Sequence, residues 1–158
     1  MSNNRVILTE AGLKEKQAKL EYLKTVRRAE ISEQIKEARA FGDLSENAEY
    51  DEAKNEQARV ETEIAQLEKL LRNAVLLDDS SIDMSVVSLG TYVRILDEEM
   101  GEEEEYLIVH SVEADADNKR LSNESPVGSA LMGKRVGDTA TVTTPTGTIS
   151  FKILSIHK

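Results

Sequence analysis

The sequence has no cysteine and no tryptophan, and only two prolines, eight glycines and two histidines. Without cysteine, a disulfide scaffold, a thiolate metal site and a cysteine nucleophile are all excluded. His110 and His157 stand far apart in sequence and read as plain surface or core residues on strands. Four tyrosines and two phenylalanines leave little material for aromatic-lined pockets. No apolar run reaches the ~20 residues of a membrane helix. The opening Val6-Ile7-Leu8 is too short for a secretory apolar region. A soluble chain of a reducing compartment, the cytoplasm, is expected, with no membrane partner. Positive charge is scarce too: 20 Lys and Arg face 30 Asp and Glu, for a net charge of −10. The shortage lies after residue 75, where 7 cations meet 15 anions, against 13 and 15 before it. Such a chain binds bare duplex DNA poorly, because phosphate binding draws on clustered positive charge. Nucleic-acid contact must be local or made through a partner, and solubility alone also accounts for the acidity.

What is present divides near residue 77. Thr9 can cap a helix, with Leu8 and Leu13 placed as a hydrophobic staple. Apolar residues then fall at helical spacing at Leu13, Leu20, Leu23, Ile31, Ile35 and Ala38. After Phe41-Gly42 a second series runs through Ala53, Val60, Ile64, Leu67, Leu71 and Ala74, alternating steps of four and three from Val60. That is coiled-coil spacing. Two runs of about 30 residues, each about 45 Å long as helix, predict an antiparallel hairpin over 1–76 that projects its tip past the rest. Beyond it, residues 77–158 change to period 2 after the polar linker Asp78-Ser81. Strands are expected at 91–96, 106–109, 139–143 and 149–156, with a turn at Pro145-Thr146-Gly147. Ser125 and Pro126 read as N-cap and first residue of a short helix that Gly133 ends. The fold class is therefore α+β, a helical hairpin followed by a small antiparallel sheet with one helix. Glu98-Glu99 and Glu102-Glu105 around Gly101 read as a solvated turn, since their spacing is not that of a calcium loop.

The tip, residues 42–47, is where chemistry could sit. Asp43 and Glu46 fit a capping box, as N-cap and N3 of the second helix. They equally fit a pair of carboxylates offered to a cation. Magnesium is commonly held by one or two carboxylates together with water and phosphate oxygens. Two exposed carboxylates hold it weakly, so a partner would have to complete the site.

The run Gly42-Asp43-Leu44-Ser45-Glu46-Asn47-Ala48-Glu49-Tyr50 closely resembles the tip motif of bacterial Gre transcript cleavage factors. Val26-Arg27-Arg28, Asn123-Glu124-Ser125-Pro126 and Leu131-Met132-Gly133-Lys134 agree as well, so the resemblance spans essentially the whole chain. The GreA branch is nearer, because the arms lack a large basic surface. Ala29 stands where the family often has proline, which leaves the bend of helix 1 open. The resemblance implies an FKBP-like second domain that docks on RNA polymerase through Glu124, Ser125 and Pro126. It implies that the hairpin enters the secondary channel and brings Asp43 and Glu46 to the active centre as catalytic and metal-holding residues. There they would share a Mg2+ ion with the polymerase, none being bound by the free protein, and a backtracked transcript would be hydrolysed. Arg39 and Lys54 match the family's basic patch beside the nascent RNA 3′ end, although ordinary helix-surface charge explains them equally. The factor would be a monomer and an activator of the polymerase's own nuclease, not an enzyme.

Three other readings use the same residues. A channel-plugging inhibitor keeps the fold and drops the chemistry, but Asp43 and Glu46 both occupy the motif positions. A prolyl isomerase needs an aromatic-lined pocket, for which residues 77–158 supply only Tyr92, Tyr106 and Phe151. A coiled coil that merely dimerises would show itself in sedimentation.

Overall fold

In the computed structural model, residues 5–40 and 48–158 are described. Contacts divide the chain into two compact units, one built on Ala11–Ala74 and the other on Ile7–Glu10 with Val75–Lys158.

The first unit is the helical hairpin. Its first arm is helical from residue 10 to 39: α1 (Glu10–Tyr22), a π-helical turn over Leu23–Arg27, and α2 (Arg28–Arg39). The second arm is α3 (Ala48–Arg72), whose 25 residues make about 37 Å of helix. Leu23, Ile31, Val60, Ile64 and Leu67 are buried between the arms, with Leu20, Ile35 and Leu70 packed against them. The apolar seam read from the sequence is thus the packed seam. Two positions at the end of the second series differ: Leu70 packs in the cluster where Leu71 was expected, and Ala74 belongs to a strand, since α3 ends at Arg72.

The π-turn has a cause in the spacing. Leu23, Arg27, Ile31 and Ile35 all turn inward, with Leu23 and Ile31 buried and Arg27 and Ile35 half-buried. Successive steps of four carry a stripe around an α-helix of 3.6 residues per turn. A local unwinding brings it back to the partner arm. The Arg28 N–H donates to Leu23 O five residues earlier, which is that unwinding. Helix 1 thus carries an irregularity just before Ala29.

Strands β1 (Val6–Leu8) and β2 (Ala74–Leu76) make a two-stranded sheet. The remaining strands are β3 (Tyr92–Asp97), β4 (Glu102–Val109), β5 (Arg120–Ser122), β6 (Thr139–Thr144) and β7 (Gly147–His157). They form one sheet in the order β5-β4-β3-β7-β6. The four strands expected from the sequence, β3, β4, β6 and β7, pair antiparallel, and the short β5, which the sequence did not indicate, adds to β4 in parallel. The helix α4 (Pro126–Leu131) lies against the sheet, where Leu131 joins Val87, Val93, Ile95, Ile108, Ala140 and Ile153 in the core.

The solvated turn expected at Glu102–Glu105 is also corrected, because these residues open β4. Glutamate is depleted in strands, but here each of three meets a basic side chain. Arg94 lies 3.0 Å from Glu103, Lys119 pairs with Glu104, and His157 lies 2.9 Å from Glu105. The turn itself is tighter, with Gly101 at φ +72° and the Asp97 carboxylate accepting from the Glu99 and Met100 N–H groups.

Candidate functional site

The sequence puts its candidate residues at two places, the hairpin tip and the loop before α4. Asp43 and Glu46, whether as capping box or as metal ligands, lie outside the described residues. Their neighbours are described: α2 ends at Arg39 and α3 begins at Ala48, with exposed Glu49, Asp51 and Glu52 in its first turns. Acidic side chains there favour the positive end of the helix dipole. Arg39 is exposed at the end of α2, and Lys54 is exposed on α3, donating to Gln57 Oε1 at 3.1 Å. The two thus stand on different arms. Among the described residues, no group of three or more His, Asp or Glu side chains is placed to hold a metal ion.

Farther along the hairpin, Arg27 donates to Glu56 at 3.1 Å and to Glu30 at 3.3 Å, and Arg59 meets Glu56 at 2.7 Å. Hydrogen bonds from Arg59 and then Arg27 lower the Glu56 pKa below its ordinary value. Arg28 grips Glu61 with two nitrogens, at 2.8 and 2.7 Å. That bidentate contact lowers the Glu61 pKa in the same way. Both members of the Arg27-Arg28 pair therefore bridge the two arms, a role that the sequence alone did not disclose.

The loop Asn123–Pro126 is held at its first three residues. Asn123 N–H donates to Val109 O at 2.9 Å, and Glu124 N–H to Ser122 Oγ at 3.0 Å. Ser111 Oγ donates to Glu124 Oε1 at 3.0 Å. The Ser125 hydroxyl accepts from Gly128 N–H at 3.0 Å while donating to Ser122 O at 2.8 Å. Pro126 is exposed at the first helical position, where its missing N–H costs nothing. Gly128 is buried so closely that an added Cβ would stand 1.8 Å from Ser122 O. Ser125 is thus the N-cap that the sequence indicates, and the loop presents Glu124 and Pro126 on a rigid base.

Beside this loop the sheet and α4 enclose a cleft of about 210 Å3, floored by Ile95, Leu121, Val127 and Phe151. Tyr106 and three carboxylates, Asp97, Glu102 and Glu104, complete its lining. Lys119 lies over the Tyr106 ring at 5.5 Å while pairing with Glu104. Burial, followed by the charge of Glu104, raises the Tyr106 phenol pKa. No helix among the described residues is long and apolar enough to cross a membrane.

Comparison with known proteins accounts for both units. Residues 6–76 match the family model "Transcription elongation factor, N-terminal", and residues 82–158 match "Transcription elongation factor, GreA/GreB, C-term". A transcription elongation factor GreA from Thermoanaerobacter pseudethanolicus is 58% identical over 97% of this chain and 98% of its own length. That from Acetivibrio thermocellus is 54% identical, covering 99% of each. The solved structure of GreA factor homolog 1 from Thermus thermophilus is 32% identical over 98% of this chain and 100% of its own, with a TM-score of 0.45.

Proposed function

The chain belongs to the GreA/GreB family of transcription elongation factors, near its GreA members, and from that premise we propose how it acts on RNA polymerase. The C-terminal unit docks on the polymerase through Glu124, Ser125 and Pro126. The hairpin enters the secondary channel and delivers Asp43 and Glu46 to the active centre. There the two carboxylates, together with groups of the polymerase, would hold a magnesium ion, which would help activate water against the RNA phosphodiester. Backtracked RNA is cut, and the arrested complex resumes synthesis. The factor activates the polymerase's nuclease and is not itself an enzyme. Arg39 and Lys54, exposed on the two arms, serve the extruded RNA 3′ end.

One observation carries this reading. Near-full-length identity of 58% to a GreA factor coincides with a helical hairpin whose connecting residues hold Asp43 and Glu46. The rigid loop at 123–126 supports the docking assignment, since a preorganised surface loses less entropy on binding. No observation favours the channel-plugging inhibitor.

The test is a halted, backtracked elongation complex with magnesium, to which the chain is added. A shortened transcript with an extendable 3′ end is the expected result. An unchanged transcript in the presence of bound factor contradicts the reading.

A further inference from the structure

The two edges of the five-stranded sheet are built differently. β5 is three residues long, opens on Arg120, and has its outer side bridged by Asp115. β6 is six residues long, keeps an unbroken register with β7, and holds neither charge nor proline. It begins the stretch 139–151, the longest charge-free run in a chain of net charge −10. Short length, charge, proline and bulges are the usual protections of an edge strand. β6 has none of them.

The outward groups of β6 follow from the pairing on its other side. Ile153 turns both backbone groups toward it: its N–H donates to Asp138 O at 2.9 Å, and its carbonyl accepts from Gly137 N–H at 2.8 Å. Backbone groups alternate along a strand, so Phe151 and Ile149 also face β6, where Ala140 and Val142 are their partners. The Ser150 carbonyl faces the other way and accepts from Glu98 N–H at 3.1 Å. Thr139, Thr141 and Thr143 therefore turn N–H and C=O off the edge of the sheet. Their side chains are exposed, while Ala140 and Val142 between them are buried.

We propose that β6 pairs with β6 of a second copy of this chain, antiparallel across a two-fold axis at Thr141. The strand is self-complementary in that register. Thr141 faces the partner's Thr141 and Thr139 faces the partner's Thr143, so every outward N–H meets an outward C=O. The faces match as well, with threonine beside threonine on one side and Ala140 beside the partner's Val142 on the other. Thr–Thr cross-strand pairs are favourable. Charge agrees with the choice of partner. Two acidic chains repel, and the uncharged β6 is where they meet at least electrostatic cost. One strand pair buries little side-chain surface, so the dimer is a weak one of concentrated protein. The monomer implied by the family resemblance is then the dilute form. β6 lies at the opposite edge of the sheet from β5, which leads into the proposed docking loop, so pairing leaves that edge untouched.

Sedimentation equilibrium of the full chain from about 10 μM to about 1 mM measures the association. Mass is expected to rise from one chain toward two. The rise should be steeper at about 0.5 M salt than at about 0.05 M, since screening removes the repulsion between acidic copies. Thr141→Lys and Thr141→Glu each set like charges opposite one another at the axis, and each should weaken association about fivefold. An equimolar mixture of the two should restore it, because lysine then faces glutamate. Thr148→Lys controls for charge: Thr148 is exposed opposite Thr143, one strand in from the edge, and its variant should match the parent. In the parent, the Thr141 and Thr143 amides should exchange severalfold more slowly at the high concentration than at the low one. A chain that stays single up to about 1 mM overturns the proposal and leaves the edge to another extended strand. Association that survives Thr141→Lys, weakens with salt, or is not restored in the mixture overturns the two-fold pairing. So does exchange at Thr141 and Thr143 that does not slow. That last measurement needs no substitution, and it decides even where a variant fails to fold.

Discussion

Single side chains show how this acidic chain tolerates its own charge. His157 stacks on Tyr92 with ring centroids 5.1 Å apart and holds Glu105 at 2.9 Å. The hydrogen bond to Glu105 raises the His157 pKa above its ordinary 6.5. Because the folded-state value is the higher one, the pair's contribution to stability is complete below the unfolded pKa. It is lost as pH rises through the folded value. An NMR titration should therefore place His157 above 6.5, and Glu105→Gln should lower it. A value unmoved by Glu105→Gln would remove the carboxylate as cause. Both side chains are substantially exposed, so solvent screening keeps the effect on stability small. Gly128 makes a larger claim. A methyl group there meets the Ser122 carbonyl at 1.8 Å, and backbone cannot yield as a side-chain end does. Gly128→Ala should cost about 1–3 kcal/mol of stability, as overpacking does. It should also weaken competition for polymerase by displacing the loop that carries Glu124. Ser129→Ala, on an exposed neighbour, is the control. Thermal unfolding and a competition assay check both.

Elements differ in how much of them the sequence discloses. The hairpin was legible because two arms that pack only on each other must keep their apolar residues on one stripe, and Ile31, Val60, Ile64 and Leu67 do so. The start of α4 was legible because Ser125, Pro126 and Gly133 each have a local backbone reason to be there, including φ +80° at Gly133. Strands β1, β2 and β5 were not, since each has only three residues and no period can be read from three. The acidic start of β4 was misleading for another reason. Its strand state comes from pairing with β3, and its charges meet Arg94, Lys119 and His157 only in three dimensions. The same holds for the site. The tip motif and the proposed docking loop are contiguous in sequence, whereas the contact of buried Glu113 with Thr9 is not. Its sequence signal is one glutamate among many. The two-unit division yields a prediction at this scale. Residues 77–158, made alone, should fold, compete with the full chain for polymerase and stimulate no cleavage. A disordered fragment, or a folded one unable to compete, would place docking elsewhere.

The proposed function gives the whole molecule separated labours: a C-terminal unit for binding and a hairpin for delivering two carboxylates. Its net charge of −10 suits a factor that reaches nucleic acid through another protein instead of by attraction to phosphate. The separation is tested most directly by one comparison in backtracked elongation complexes with magnesium. RNA cleavage and polymerase occupancy are measured together for the parent chain and for Asp43→Asn. Asparagine caps a helix about as well as aspartate, so the substitution removes charge and leaves a capping role intact. The account predicts that the parent shortens the transcript while Asp43→Asn, bound to the same extent, loses cleavage by about 100-fold or more, as removal of a metal-holding group should. Cleavage that survives in Asp43→Asn, or falls only in step with occupancy, would contradict it.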